Sequence, residues 1–145
     1  MPLVAEHKKQ AVKEKPTIVA FLCNWCSYAG ADMAGTSRFK QPADIRIIRV
    51  PCSGRLDWLL IAKAFKEGAD GVLVSGCHPG DCHYTEGNYY ARRKLEALKR
   101  YLPLFGIEDG RFEYTWVSAS EGKRWSEVVS GFTDQIHTLG VRQAG

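Results

Sequence analysis

The cysteines constrain this chain most, because they gather at the ends of short apolar segments. The sequence contains five cysteines, and each ends or follows one of three apolar runs. Cys23 and Cys26 belong to "TIVAFLC" and the turn after it, Cys52 follows "IRIIRV", and Cys77 and Cys82 follow "GVLVSG". If these thiols act together, the fold must bring the ends of three separated segments to one place.

The apolar runs have the length and composition of β-strands. Residues 17–23, 45–50, 71–76 and 111–117 are short and rich in β-branched and aromatic residues. The first and third runs are apolar almost throughout, which is typical of strands covered on both faces of a parallel sheet. We therefore expect these two strands at the centre of the sheet.

Helical patterns separate the strands. Residues 26–38 are predicted to be helical although Gly30 and Gly35 weaken the pattern. Residues 55–66 carry apolar groups on nearly all sides, which favours a deeply buried helix over one with a second contact surface. Two further helices have an apolar stripe at helical spacing: Ala91, Leu95, Leu98 and Leu102 in one, and Trp125, Val128, Val129, Phe132, Ile136 and Leu139 in the other.

This alternation predicts an α/β fold with a four-stranded parallel sheet and flanking helices. The predicted arrangement is flavodoxin-like and doubly wound, with right-handed crossovers and strand order 2-1-3-4. Residues 17–140 are predicted to form this single domain, between a polar N-terminal tail at 1–16 and a C-terminal tail at 141–145. In open α/β sheets, ligands bind outside the carboxyl ends of the strands, where all five thiols are expected to meet.

Composition narrows the class of protein. No apolar run approaches the ~20 residues that cross a bilayer, and the first residues lack a signal peptide, so we expect a cytoplasmic protein without a membrane span. Structural disulfides are rare in that compartment, and an odd cysteine count fits a disulfide framework poorly. The formal charge of +4 is spread along the chain, which is typical of a solvated surface and not of a nucleic-acid site. The thiols are therefore interpreted as metal ligands or redox groups.

Several metal centres fit the thiols. Four thiolates bind zinc, a 2Fe-2S cluster or a 4Fe-4S cluster, and the cysteine spacing alone does not decide between them. Small residues beside the cysteines let backbone N–H groups approach cluster sulfurs, which favours iron-sulfur chemistry without excluding zinc. These residues are Ser53, Gly54, Gly76, Gly80 and Gly87.

Two other interpretations of the motifs are weaker. His78 and His83 each adjoin a cysteine, and we expect them to lie beside the ligands more readily than to bind metal. The "CNWC" motif is typical of thioredoxin-like dithiols, but that hypothesis leaves Cys52, Cys77 and Cys82 unexplained. No glycine-rich phosphate motif follows the first strand, so the sheet is not expected to bind a nucleotide.

Four segments carry a specific resemblance. "FLCNWCSYAGAD", "IRVPCSGR", "GADGVLVSGCHPGDCHYTEGN" and "WVSASEG" resemble the delta subunit of methyl-viologen-reducing hydrogenase, a family of small iron-sulfur proteins. The likeness runs from about residue 17 to residue 140 and includes all five cysteines. The N-terminal tail lies outside it.

The resemblance implies an electron-transfer subunit that carries one 2Fe-2S cluster and has no substrate of its own. It implies a link between an oxidoreductase module and the flavin-containing subunit of a heterodisulfide reductase complex. The module would be a hydrogenase, a formate dehydrogenase or a methylenetetrahydrofolate reductase. The alternative is a zinc-stabilised adaptor or a thiol-disulfide redox protein.

A 2Fe-2S cluster needs four thiolates, so one of the five cysteines is expected to be spare. Cys26, Cys52, Cys77 and Cys82 are the expected ligands. Cys23 is the least certain, because it lies closest to the interior of a strand.

Aromatic residues are predicted in the loops around the cysteines. Those loops are residues 24–30, 53–57 and 78–90, and we expect partner subunits to cover them because aromatic residues are favoured at buried interfaces. The aromatic residues concerned are Trp25, Tyr28, Trp58, Tyr84 and Tyr89.

Overall fold

The computed structural model describes residues 15–39, 41–43, 45–78, 80, 82, 84 and 86–142. Four parallel strands form one sheet in the order β2-β1-β3-β4. The strands are β1 (Ile18–Cys23), β2 (Ile45–Val50), β3 (Gly71–Gly76) and β4 (Phe112–Trp116). The predicted α/β class, the strands and their order are confirmed.

The two central strands separate two hydrophobic cores. β3 is buried at every position, and β1 is buried at all but one, as their apolar composition predicts. Successive side chains alternate between the two faces of the sheet. Phe21, Val72 and Val74 pack into one core, whereas Leu22 and Leu73 pack into the other.

Four α-helices cover the two faces. They are α1 (Ser27–Thr36), α2 (Trp58–Lys66), α3 (Gly87–Tyr101) and α4 (Gly122–Leu139). α1 and α4 pack together on one face, and residues of α2 and α3 fill the core on the other. Within the described ranges, no helix is long and apolar enough to cross a lipid bilayer.

Helix α2 begins later than the predicted 55–66. The carboxylate of Asp57 accepts a hydrogen bond from the Leu60 N–H at 3.0 Å and caps the helix there. The preceding residues Ser53–Arg55 form a short 3-10 turn instead. This turn holds the backbone after Cys52 against the start of α3.

The expectation that this helix is buried on all sides is wrong. Only Ile61 and Phe65 are buried in α2, where they face the sheet. Leu59 is 78% exposed, and Trp58 and Leu60 are each 40% exposed. The apolar surplus of α2 therefore lies on the outer surface of the domain.

Candidate metal centre

Five thiols meet at the carboxyl edge of the sheet, as the topology predicts. Cys23 ends β1, Cys77 directly follows β3, Cys52 follows β2 after one residue, and Cys26 and Cys82 lie in the adjoining loops. The Sγ atoms form two close pairs, Cys23 with Cys77 at 3.6 Å and Cys52 with Cys82 at 3.7 Å. The Cys26 thiol also lies against Cys77.

The spacing within each pair fits a shared metal ion. Two thiolates on one tetrahedral metal, with metal–sulfur bonds of about 2.3 Å, stand about 3.8 Å apart. Both sulfur pairs have nearly this separation. Among the described residues, no three cysteine, histidine or carboxylate side chains gather around a single ion. Cys23 with Cys77 and Cys52 with Cys82 thus have the spacing of two thiolates that share one metal ion, and Cys26 is a third thiol beside the first pair.

The buried pair contains one acidic thiol. The hydrogen bond from the Cys77 thiol, together with the Ser27 backbone N–H at 3.3 Å, lowers the pKa of Cys23 to about 5 against the opposing effect of burial. The same hydrogen bond and burial raise the pKa of Cys77 well above its ordinary value. Metal ligation requires thiolates, so both thiols of this pair would have to lose their protons when a metal binds.

The two thiols of the second pair also have pKa values shifted in opposite directions. Burial raises the pKa of Cys52. Burial also acts against ionisation of Cys82, but backbone N–H groups of Tyr84, Asn88 and Gly87 and the Cys52 thiol outweigh it and lower the pKa of Cys82. Backbone N–H groups that point at sulfur stabilise the negative charge of a thiolate and of a cluster.

Glycine is required where the two loops of the second pair meet. A Cβ atom on Gly87 would overlap Cys52 Sγ and lie 3.3 Å from Cys82 Sγ. A Cβ on Gly54 would lie 2.7 Å from the Gly87 carbonyl oxygen. The close approach predicted for these two glycines is therefore present. Gly80 differs, because no described neighbour lies within 4 Å of its Cβ position, and its φ of +89° is what favours glycine there.

Comparison with known proteins identifies the family. The methyl-viologen-reducing hydrogenase delta subunit family matches residues 18–140, a span that contains the whole sheet and all five cysteines. The chain belongs to this family.

Relatives of this delta-subunit chain include hydrogenase components. The iron-sulfur subunit of the vhc F420-non-reducing hydrogenase of Methanococcus voltae is 52% identical over 126 residues, covering 87% of this chain and 88% of the relative. The iron-sulfur subunit of the F420-non-reducing hydrogenase of Archaeoglobus profundus is 48% identical over 126 residues, covering 87% of this chain and 92% of the relative.

A third relative is a much longer protein. It is a component of the ferredoxin/F420H2-dependent CoB-CoM heterodisulfide reductase of Methanosarcina acetivorans. Its identity to this chain is 44% over 134 residues, which cover 92% of this chain and 16% of the relative. A segment similar to the delta subunit is thus part of a larger polypeptide in that protein.

Asn88 is a site residue of this delta-subunit chain that its sequence pattern does not reveal. Its side-chain amide donates to the carbonyl oxygens of Cys77 at 3.1 Å and His78 at 2.7 Å, and its backbone N–H points at the Cys82 sulfur. It connects the loops of both thiol pairs and is only 2% exposed. The one signal in the sequence is its place three residues before Ala91, which puts a polar residue on the apolar stripe of α3.

Two buried serines were also not predicted. The Ser27 hydroxyl donates to the Gly76 carbonyl oxygen at 3.0 Å, and the Ser75 hydroxyl donates to Ser27 Oγ at 2.7 Å. These bonds fix the start of α1 against the end of β3, and so hold the backbone of Cys23 and Cys77 together.

Of the two histidines that adjoin a cysteine, the structure describes His78. His78 Nε2 contacts a carboxylate oxygen of Glu121. The backbone N–H of Ser118 and then this histidine lower the pKa of Glu121 to about 2. The contact engages Nε2 of the imidazole, and the expectation that His78 lies beside the ligands without binding metal stays a prediction. His83 lies outside the described residues.

The predicted aromatic residues are all at least partly exposed, although not all are in loops. Trp25 and Tyr84 are 44% and 52% exposed, and the Trp25 indole N–H donates to Tyr84 Oη at 3.3 Å. Trp58, Tyr28 and Tyr89 lie in helices instead, where Tyr28 is half-buried beneath the Arg49 guanidinium.

Proposed function

We propose that this chain is an electron-transfer subunit that carries one 2Fe-2S cluster. The observation that carries the proposal is the pairing of the four sulfurs at separations of 3.6 and 3.7 Å. The names of the Methanococcus and Archaeoglobus relatives, both iron-sulfur subunits, support the cofactor class. When bound, such a cluster supplies one-electron transfer, while the protein holds the thiolates and directs backbone N–H groups at them.

The proposed ligands are Cys23 and Cys77 on one iron, and Cys52 and Cys82 on the other. The sulfur spacing and the lowered pKa of Cys23 support this set. Cys26 is then the spare thiol. The sequence favoured the opposite choice, because Cys23 lies closest to the interior of a strand, and that choice stays a prediction until the cysteines are replaced one at a time.

The proposed partners are an oxidoreductase module and the flavin-containing subunit of a heterodisulfide reductase complex. The hydrogenase names of two relatives support a hydrogenase as the module, with formate dehydrogenase and methylenetetrahydrofolate reductase as alternatives. The Methanosarcina relative supports the second partner, because a segment similar to this chain belongs there to a component of a heterodisulfide reductase. A relay between two such proteins needs no substrate pocket of its own.

A thiol-disulfide redox function is the alternative that one observation favours. The pKa of Cys23, lowered to about 5, is in the range of reactive cysteines. However, Cys23 is only 1% exposed, and its close neighbour Cys77 comes from another strand. A thiol so enclosed does not reach the disulfide of another protein. Visible absorption also separates the alternatives, because a zinc or dithiol protein is colourless.

The relay function predicts that Trp25 and Tyr84 contact a partner subunit. Trp25→Glu and Tyr84→Glu are expected to disrupt co-purification with the flavin-containing subunit and to slow electron flow through the complex. A buried carboxylate at an interface is unfavourable without a partner for its charge, whereas the cluster thiols remain in place. Affinity purification of the tagged chain, with the 2Fe-2S spectrum recorded on the same samples, measures both effects.

Two matched variants control this experiment. Tyr84→Phe keeps the ring and should retain the complex, and Phe105→Glu places the same charge in the exposed 3-10 turn after α3. A tight complex with full turnover in both glutamate variants at 25 and 84 would show that the partner binds another face.

A further inference from the structure

A groove leads from the candidate metal centre along helices α2 and α3. A cavity of about 450 Å³ adjoins Cys52, and a second cavity of about 540 Å³ continues from it. Arg93 and Lys94 line both cavities, so the two form one continuous surface, which we call the α2–α3 groove. The first cavity is otherwise lined by Cys52, Gly54, Gly87 and Tyr90, and the second by Asp57, Trp58, Leu59 and Ala97.

The groove is positively charged. Arg93 forms no ion pair with any described residue, and its guanidinium lies 5.4 Å from the centroid of the Tyr90 ring. The Lys94 ammonium group donates to the backbone carbonyl oxygens of Gly54 and Leu56 and forms no ion pair with a described carboxylate. Among the described lining residues, only Asp57 carries a carboxylate, which caps α2, and the Glu86 carboxylate outside the lining accepts a hydrogen bond from Tyr90 Oη at 3.5 Å. An occupant with carboxylates would complement this charge.

The outer end of the groove is apolar and already ordered. The Trp58 indole N–H donates to the Lys94 carbonyl oxygen at 3.0 Å, and the Trp58 ring packs against Tyr101 with centroids 5.7 Å apart. Leu59, beside it, is 78% exposed. A fixed aromatic ring and an exposed leucine next to two cations form the kind of surface that binds an amphipathic segment.

The charge also favours a different chain over a second copy of this one. A symmetric dimer across this groove would bring two copies of the same cation-bearing surface together. Like charges at an interface are unfavourable. Cys52 lines the groove, so an occupant would lie close to the cluster. This closeness favours electron transfer, because electron tunnelling weakens steeply with distance.

We propose that the α2–α3 groove binds an acidic segment, with an apolar side chain, of the subunit that exchanges electrons with the cluster. The proposal rests on the proposed function and adds to it the docking surface and the chemistry of the partner. Arg93 attracts the carboxylates, and Trp58 and Leu59 receive the apolar side chain. The Cys52 side of the cluster is then the side nearest to this partner.

The test uses the full-length chain with its cluster and, as probe, the purified flavin-containing heterodisulfide reductase subunit from the same genome. Arg93→Glu and Leu59→Asp alter the groove. Arg92→Glu and Leu104→Asp are matched controls, since Arg92 is an exposed neighbour outside the lining and Leu104 is 77% exposed on the 3-10 turn after α3. Dissociation constants are measured at low and high ionic strength, together with the iron content of each variant.

Arg93→Glu is expected to weaken binding at least about tenfold at low ionic strength and to reduce its salt dependence. Leu59→Asp should weaken binding by a similar factor at both ionic strengths, and both controls should stay within about twofold of the wild-type chain. The proposal would be overturned if both groove variants bound with wild-type affinity or if the controls lost as much affinity as the groove variants. It would also be overturned if the wild-type chain did not bind the flavin-containing subunit. Loss of the proposed function would appear separately, as a wild-type chain without iron.

Discussion

Serine in place of Cys52, Cys77 or Cys82 is expected to abolish cluster binding. Each of these sulfurs belongs to a close pair, and an alcohol is a harder and far less acidic ligand than a thiol. A pair that loses one thiolate leaves one iron with a single protein ligand. Iron and acid-labile sulfide content, with visible absorption of anaerobically purified protein, measure the loss.

The decisive comparison is between Cys23→Ser and Cys26→Ser. Both thiols lie against Cys77, but only one partner of Cys77 can share an iron with it in a cluster held by four cysteines. Cys23 is expected to be that partner, so Cys23→Ser should lose the cluster and Cys26→Ser should keep it with a modified spectrum. Circular dichroism of every variant verifies that the sheet is intact.

The opposite pattern would contradict the ligand assignment. If Cys26→Ser removed the cluster and Cys23→Ser retained it, Cys23 would be the spare thiol, as its closeness to the interior of a strand first indicated. Retention of a full cluster in Cys52→Ser or Cys82→Ser would refute the second pair altogether.

Alanine at Gly87 is expected to prevent cluster binding without touching any ligand. Its methyl group would occupy the space of Cys52 Sγ, where only backbone now approaches the sulfur pair. Overpacking of this kind destabilises a fold by about 1–3 kcal/mol, and here it also separates Cys52 from Cys82. The same iron and sulfide assays, with urea denaturation of the protein, measure the two effects.

Gly131→Ala is the matched control for this change. Gly131 lies in α4, and a Cβ there would meet no atom within 4 Å. Alanine should therefore stabilise the helix by up to about 1 kcal/mol and leave the iron content unchanged. A fully loaded Gly87→Ala protein would show that the backbone contact with Cys52 is not needed.

The sheet was predictable because its signals are local or topological. Apolar runs with β-branched residues predicted the four strands, and alternation with helices determined their parallel order. The same topology predicted that Cys23, Cys52 and Cys77 would meet at one edge. None of these inferences required knowledge of a side-chain contact.

The start and the exposure of α2 depended on details that periodicity does not contain. Asp57 caps the helix through one hydrogen bond, which shifts its start to Trp58. An apolar side chain such as Leu59 indicates burial only if another element covers it, and in this chain none of the described elements buries it. The excess of apolar residues in this helix was visible in the sequence, but their exposure on the outer surface of the domain was not.

The pairing of the thiols could not be predicted, because it depends on how three loops pack. Cys23 is nearest in sequence to Cys26, yet its sulfur lies against Cys77, which follows the neighbouring strand β3. Asn88 joins these loops through carbonyl groups, a contact that leaves almost no mark in a single sequence. A close approach to the Gly87 backbone was expected, but the sequence did not indicate that the approaching atom is the Cys52 sulfur.

The central claim is that this chain holds one 2Fe-2S cluster at the carboxyl edge of its sheet. The most direct measurement is the amount of iron and acid-labile sulfide per chain in protein purified without oxygen. About two irons and two sulfides per chain are expected, with visible absorption that bleaches on reduction and an EPR signal from the reduced sample. Stoichiometric zinc without labile sulfide, in a colourless protein, would contradict the claim.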